Sequence, residues 1–126
     1  MGLLLFIIAS IIKWAIAPFS YVYGSIAALI AGNGEFHRYN MDLAIAKDQY
    51  GNVICQYVFN HLLIKKTGYK FGNADETVSS VIGKNKLNNT LTFLGRTLDN
   101  ILDFFDENHS VKSIDNTEGN DSKPIH

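Results

Sequence analysis

The chain has 126 residues, 47% of them hydrophobic and 18% charged, with a formal net charge of −1. That length allows one small body, and a charge balance so near neutral provides no global basic field of the kind that holds nucleic acid, so no nucleic-acid partner is expected. A single cysteine, Cys55, excludes an internal disulfide.

From Gly2 to Gly32 the one charged side chain is Lys13. Leu3, Leu4, Leu5, Phe6, Ile7, Ile8, Ile11, Ile12, Trp14, Ile16 and Phe19 make a helix through this stretch apolar on every side. About 20 residues at ~1.5 Å each cross a hydrocarbon layer ~30 Å thick, so the segment is long enough for a membrane anchor over residues 1–32. Its apolar side chains contribute about −3 to −7 kcal/mol to insertion, against a cost of about +3 kcal/mol for a central lysine. A cleaved signal peptide fits less well, because no basic residue precedes the apolar run and Pro18 would follow the Ala15-Ile16-Ala17 pattern. A buried soluble helix would need a larger body to cover it. Pro18 and Gly24 predict a kink, with a re-entrant hairpin at Pro18 as the alternative to a span. Arg38 and Lys47 follow the segment, which places the body on the cytoplasmic side of a single-pass anchor. Phe6 stands where the myristoylation pattern needs serine or threonine.

Asn33, Gly34 and Glu35 predict a turn, beyond which an all-α body is expected over residues 33–109, built from about three helices. Leu43, Ala46, Tyr50, Val53, Ile54, Tyr57, Val58 and Leu62 recur at three- and four-residue steps and predict a helix from Met41 to Lys65, with this apolar stripe inward. A loop over Gly68–Gly72 precedes a short helix, for which Asn73 and Glu76 supply a cap and its capping-box partner and Gly83 the stop. After a polar loop at Lys84–Asn89, Leu91, Leu94, Leu98, Ile101, Leu102 and Phe105 mark one face of a helix from Thr90 to Glu107. The two amphipathic helices are expected to pack on each other, lying on the membrane surface being the alternative. Residues 110–126 are polar and aperiodic and are expected to be disordered.

Lysines at 65, 66, 70, 84 and 86 make the middle basic, and Asp99, Asp103, Asp106, Glu107, Asp115, Glu118 and Asp121 make the end acidic. That asymmetry suits a body whose middle lies near anionic headgroups, although ordinary solvated faces match it as well.

No HExxH, paired CxxC, GxxxxGK[ST] or GxSxG motif occurs, and no cofactor is expected. Asp48, Cys55, His61, Asp75, Glu76 and His109 are the polar candidates for chemistry. Each has a structural explanation: Asp75 and Glu76 favour a helix N-terminus, His61 and His109 lie at helix ends, Cys55 suits a small core site, and His37 is interfacial.

The run Ala46-Lys47-Asp48-Gln49 with Asn52, then Asp75-Glu76-Thr77-Val78-Ser79-Ser80 with Gly83, then His109 with Ser113-Ile114-Asp115, resembles small uncharacterised proteins of tailed phages and prophages. The likeness spans residues 43–115 and implies a phage or prophage origin without an assigned activity. It singles out Asp48, Gln49, Asn52, Asp75, Glu76, Thr77, Ser79 and His109 as a polar network or ligand set. Ser110 stands where those proteins carry cysteine, which weakens a zinc reading, and a network that holds helices together is preferred.

Three functions follow as expectations. The first is a non-enzymatic, membrane-anchored module whose partners are the lipid bilayer and either another protein or a second copy. The second is a lysis-type, holin-like membrane protein, suggested by the small residues Ala15, Ala17, Gly24, Ala27, Ala28 and Ala31, which permit close helix contact. The third is a metal-dependent hydrolase using Asp48, Asp75, Glu76 and His109.

Overall fold

The computed structural model describes residues 1–116. Among the described residues six helices follow in order: α1 (Gly2–Ala31), α2 (Glu35–Ile54), α3 (Gln56–Leu62), α4 (Val78–Leu87), α5 (Phe93–Phe105) and α6 (His109–Lys112). No β-strand occurs among the described residues, and the one sheet-like feature is an isolated bridge between Ile64 and Leu91. The chain is all-α, with one long apolar helix at its start.

Two compact units divide at Leu43, inside α2, rather than at the 32/33 turn that the composition suggests. In the first unit α1 runs unbroken through Pro18, which excludes a hairpin at that residue. Its end is enforced by three successive positive φ angles, at Gly32 (68°), Asn33 (51°) and Gly34 (80°), conformations that glycine and asparagine tolerate best. The start of α2 then returns along α1. Tyr21 stacks on Tyr39 with ring centroids 6.2 Å apart, the Tyr21 hydroxyl donates to Asn40 Oδ1 at 3.0 Å, and Gly24 leaves space for the Tyr39 ring. These contacts extend the first unit past the turn.

In the second unit the helix expected over 41–65 is α2 followed by α3, with a break at Cys55, which is half-buried. Its inward face is the reverse of the predicted one. Tyr50, Ile54, Tyr57, Val58 and Leu62 are exposed, while Asp48, Gln49, Asn52, Gln56 and Asn60 turn toward the segment between α3 and α4. The apolar core is small: Leu63, Ile64, Phe71, Val81, Ile82 and Leu91, with Phe59, Tyr69, Val78, Leu98 and Leu102 packed around it. Phe59 meets Phe71 edge-on at 5.3 Å.

The helix α4 is the centre of this unit, packed by α5 and α6. Its cap is Thr77, whose hydroxyl accepts from the Ser80 N–H, so Asn73 and Glu76 do not form the expected capping box. Gly83 does not end the helix, which continues to Leu87 through the stretch expected as loop. It is instead a contact point, since an added Cβ there would lie 2.2 Å from the Ser110 carbonyl oxygen. Gly95 gives α5 the same close approach to the Leu63 carbonyl. The helix α5 is capped by Thr92 and packs on α4 and α6, not face to face with the 41–65 helix as expected. The expected disorder from residue 110 is corrected over 110–116: α6 is folded, with Ser110 fully buried. Residues 117–126, the rest of that predicted tail, lie outside the described residues.

Gly83→Ala separates propensity from packing. Alanine favours a helix interior by about 1 kcal/mol, whereas forced overpacking costs about 1–3 kcal/mol. The substitution is expected to lower the stability of the detergent-solubilised chain in urea unfolding followed by circular dichroism; an unchanged or raised midpoint contradicts the α4–α6 contact.

Candidate functional site

The polar residues of the second unit converge on the non-helical segment between Leu63 and Thr77. Phe71, Glu76 and Gly68 in that segment are buried, so its backbone groups need partners that neither helix nor sheet provides. Side-chain amides supply them. Asn52, fully buried, donates to the carbonyls of Asn73 (3.0 Å) and Glu76 (2.7 Å) and accepts from the Gly72 N–H (2.9 Å). Asn60 pairs with both backbone groups of Phe71, donating at 3.0 Å and accepting at 2.8 Å. Asn85 does the same for Tyr69, at 2.8 and 2.9 Å, and takes further bonds from the Thr90 hydroxyl and to the Val81 carbonyl. Gln49 reaches the Asp75 carbonyl at 3.1 Å.

Carboxylates fix α4 at its start and along its length. Asp48 accepts from the Val78 N–H at 3.0 Å and the Ser79 hydroxyl at 2.9 Å, placing negative charge at a helix N-terminus. Glu76 is fully buried and has three partners: the Ser80 hydroxyl (2.6 Å), the Tyr69 hydroxyl (2.8 Å) and the Lys84 ammonium (2.5 Å). Lys84 also lies 4.4 Å from the Tyr69 ring centroid, a cation–π contact. Ser80 accepts in turn from the Asp115 N–H, which ties the chain after α6 to α4.

A second group joins α4, α5 and α6. The Ser110 hydroxyl donates to Asp99 Oδ1 at 2.5 Å, and Lys86 bridges Asp99 (2.8 Å) and Asp103 (2.9 Å). The bonds to Asp99 and then Asp103 hold the Lys86 ammonium protonated above its ordinary range. Asp106 accepts from Lys112 (3.0 Å) and contacts His109 (3.1 Å), and these two hydrogen bonds, the Lys112 one foremost, lower its pKa.

Of the residues singled out by the sequence, Asp48, Gln49, Asn52, Glu76, Thr77 and Ser79 therefore gather around the start of α4. Asp75 joins through its backbone alone, its side chain exposed, and His109 sits apart with Asp106. Among the described residues no group of three or more His, Cys, Asp or Glu side chains is arranged to hold a metal ion. The set Asp48, Asp75, Glu76 and His109 does not form one shared site. The sequence reading missed Asn60, Tyr69, Lys84, Asn85 and Asp99. Asp48, Asn52, Gln56 and Asn60 stand four residues apart, and that polar stripe was the available signal.

No protein-family model, characterised protein or solved structure matches the chain.

Asn52→Ala strands three backbone groups and is expected to destabilise the body by about 3 kcal/mol, whereas Asp75→Asn should fall within about 0.5 kcal/mol of the parent. Urea unfolding of the two variants checks this. Equal stability of both would contradict a structural role for the network.

Proposed function

We propose that the protein is a non-enzymatic, membrane-anchored interaction module, with α1 in the bilayer and the second unit presented outside the hydrocarbon to a protein partner. The carrying observation is α1 itself, 30 residues long and apolar enough to cross a membrane, with none of its residues buried. The returning α2 meets α1 from Tyr21 onward, so residues 2–20 remain uncovered, about 28 Å of helix at ~1.5 Å per residue and close to the hydrocarbon thickness. Lys13 lies 5.9 Å from the Trp14 ring centroid, an aromatic partner for the one charge in the segment.

The non-enzymatic reading is supported by how the polar groups are used. Asp48, Glu76 and Asp99 each satisfy N–H, hydroxyl or ammonium groups of the chain, an arrangement suited to holding helices in place. Arg38 and Lys47, on the body side of α1, favour a cytoplasmic body. The resemblance to small tailed-phage and prophage proteins adds a phage or prophage origin to this proposal. Gly24, which a holin-like assembly would use for contact between copies, is taken up by Tyr39.

Carbonate washing is expected to leave the protein with membranes, its N-terminus intact, and detergent to release it. Recovery of the intact chain in the soluble fraction, or of a chain cleaved after α1, would contradict anchoring.

A further inference from the structure

The helix α5 packs through Gly95, Asp99 and Leu102 and leaves a broad apolar stripe uncovered. Phe93, Phe104 and Phe105 are 77%, 84% and 80% exposed, and Leu94 and Ile101 are exposed between them. Their positions fall within one third of the helix circumference, so they form a single face. Arg96 and the neutral Asn100 follow on the flank next to Phe93 and Phe104, and Arg96, Lys65 and Lys86 line, with Asp99, one cleft of about 330 Å³.

We propose that this face of α5 is a second membrane contact, its phenylalanines laid among the headgroups of an anionic bilayer and Arg96 and Lys65 against headgroups that carry net negative charge. It rests on the reading that α1 is inserted. A tethered body meets lipid at high effective concentration, and an aromatic face edged by basic side chains is the composition of helices that lie in an interface. Arg96 and Lys65 have no carboxylate partner among the described residues, while Asp99 and Asp103, the acids within α5, are held by Lys86. Anionic headgroups provide the missing counter-charge.

The test uses the full chain with Cys55→Ser, reconstituted in vesicles of equal phosphatidylcholine and phosphatidylglycerol. A fluorophore is attached at Phe104→Cys or, separately, at Ile8→Cys, and lipid-borne quenchers are placed near the headgroups or near the bilayer centre. The Phe104 label is expected to be quenched several-fold more by the headgroup-level quencher, and the Ile8 label by the central one. Arg96→Glu should reduce quenching at Phe104 in these vesicles and leave it unchanged in phosphatidylcholine alone. Quenching at Ile8 without quenching at Phe104 overturns the α5 contact and leaves the anchor standing. So does energy transfer between Phe104 labels on different copies, since a second copy then covers the face. An unquenched Ile8 label overturns the anchor and the α5 contact together. An equal effect of Arg96→Glu in both vesicle types overturns the role of net anionic headgroup charge.

Discussion

Burying a stretch of backbone that is neither helix nor strand leaves its N–H and C=O groups in need of partners, and each one left alone costs about 1–3 kcal/mol. Between Leu63 and Thr77 this protein meets that requirement with asparagine. A side-chain amide presents a donor and an acceptor much as a peptide group does, so Asn60 and Asn85 each engage both backbone groups of one residue, Phe71 and Tyr69. Asn52 holds three groups across the following turn. The rest of the body depends on this clamp. It sets Phe71 against Phe59, presents Glu76 to Tyr69, Ser80 and Lys84, and delivers Thr77 as the cap of α4.

The same solution turns the molecule's polarity around. Because the inner face of α2 and α3 is occupied by amides and a carboxylate, their apolar residues face outward, and α5 likewise shows its phenylalanines to the surroundings. Among the described residues six buried hydrophobic side chains form the core, a modest apolar contribution for a body of this size. Such a surface is a liability in water and an asset beside a bilayer or a partner, which accords with the proposed anchoring of α1. The proposed function lies in location and contact, with the polar interior serving as framework.

Helix positions were largely legible in the sequence, because period and turn residues are local signals. The apolar run of α1, the turn at Asn33-Gly34 and the extent of α5 appear where expected, although Leu94, Ile101 and Phe105 of the predicted α5 face are exposed. The inward face of α2 and α3 was not legible by the usual rule, since hydrophobic periodicity assumes an apolar core and here the competing stripe of Asp48, Asn52, Gln56 and Asn60 turns inward, with Asn52 buried and the others half-buried. Gly83 reads as a helix stop only until Ser110 is known to press against it, a contact between residues far apart in sequence. The fold of residues 110–116 was hidden for a related reason. Its buried group is a serine whose partner, Asp99, lies on another helix, and a polar segment that folds through such bonds has the composition of a disordered one.

Native-state hydrogen exchange at the amides of Tyr69, Phe71, Gly72 and Val78 tests the central claim most directly, because each donates to the side chain of Asn85, Asn60, Asn52 or Asp48. Protection matching that of the Val81 and Ile82 amides in α4 is the predicted result. Exchange at the rate of an open loop, with α4 still protected, would contradict it.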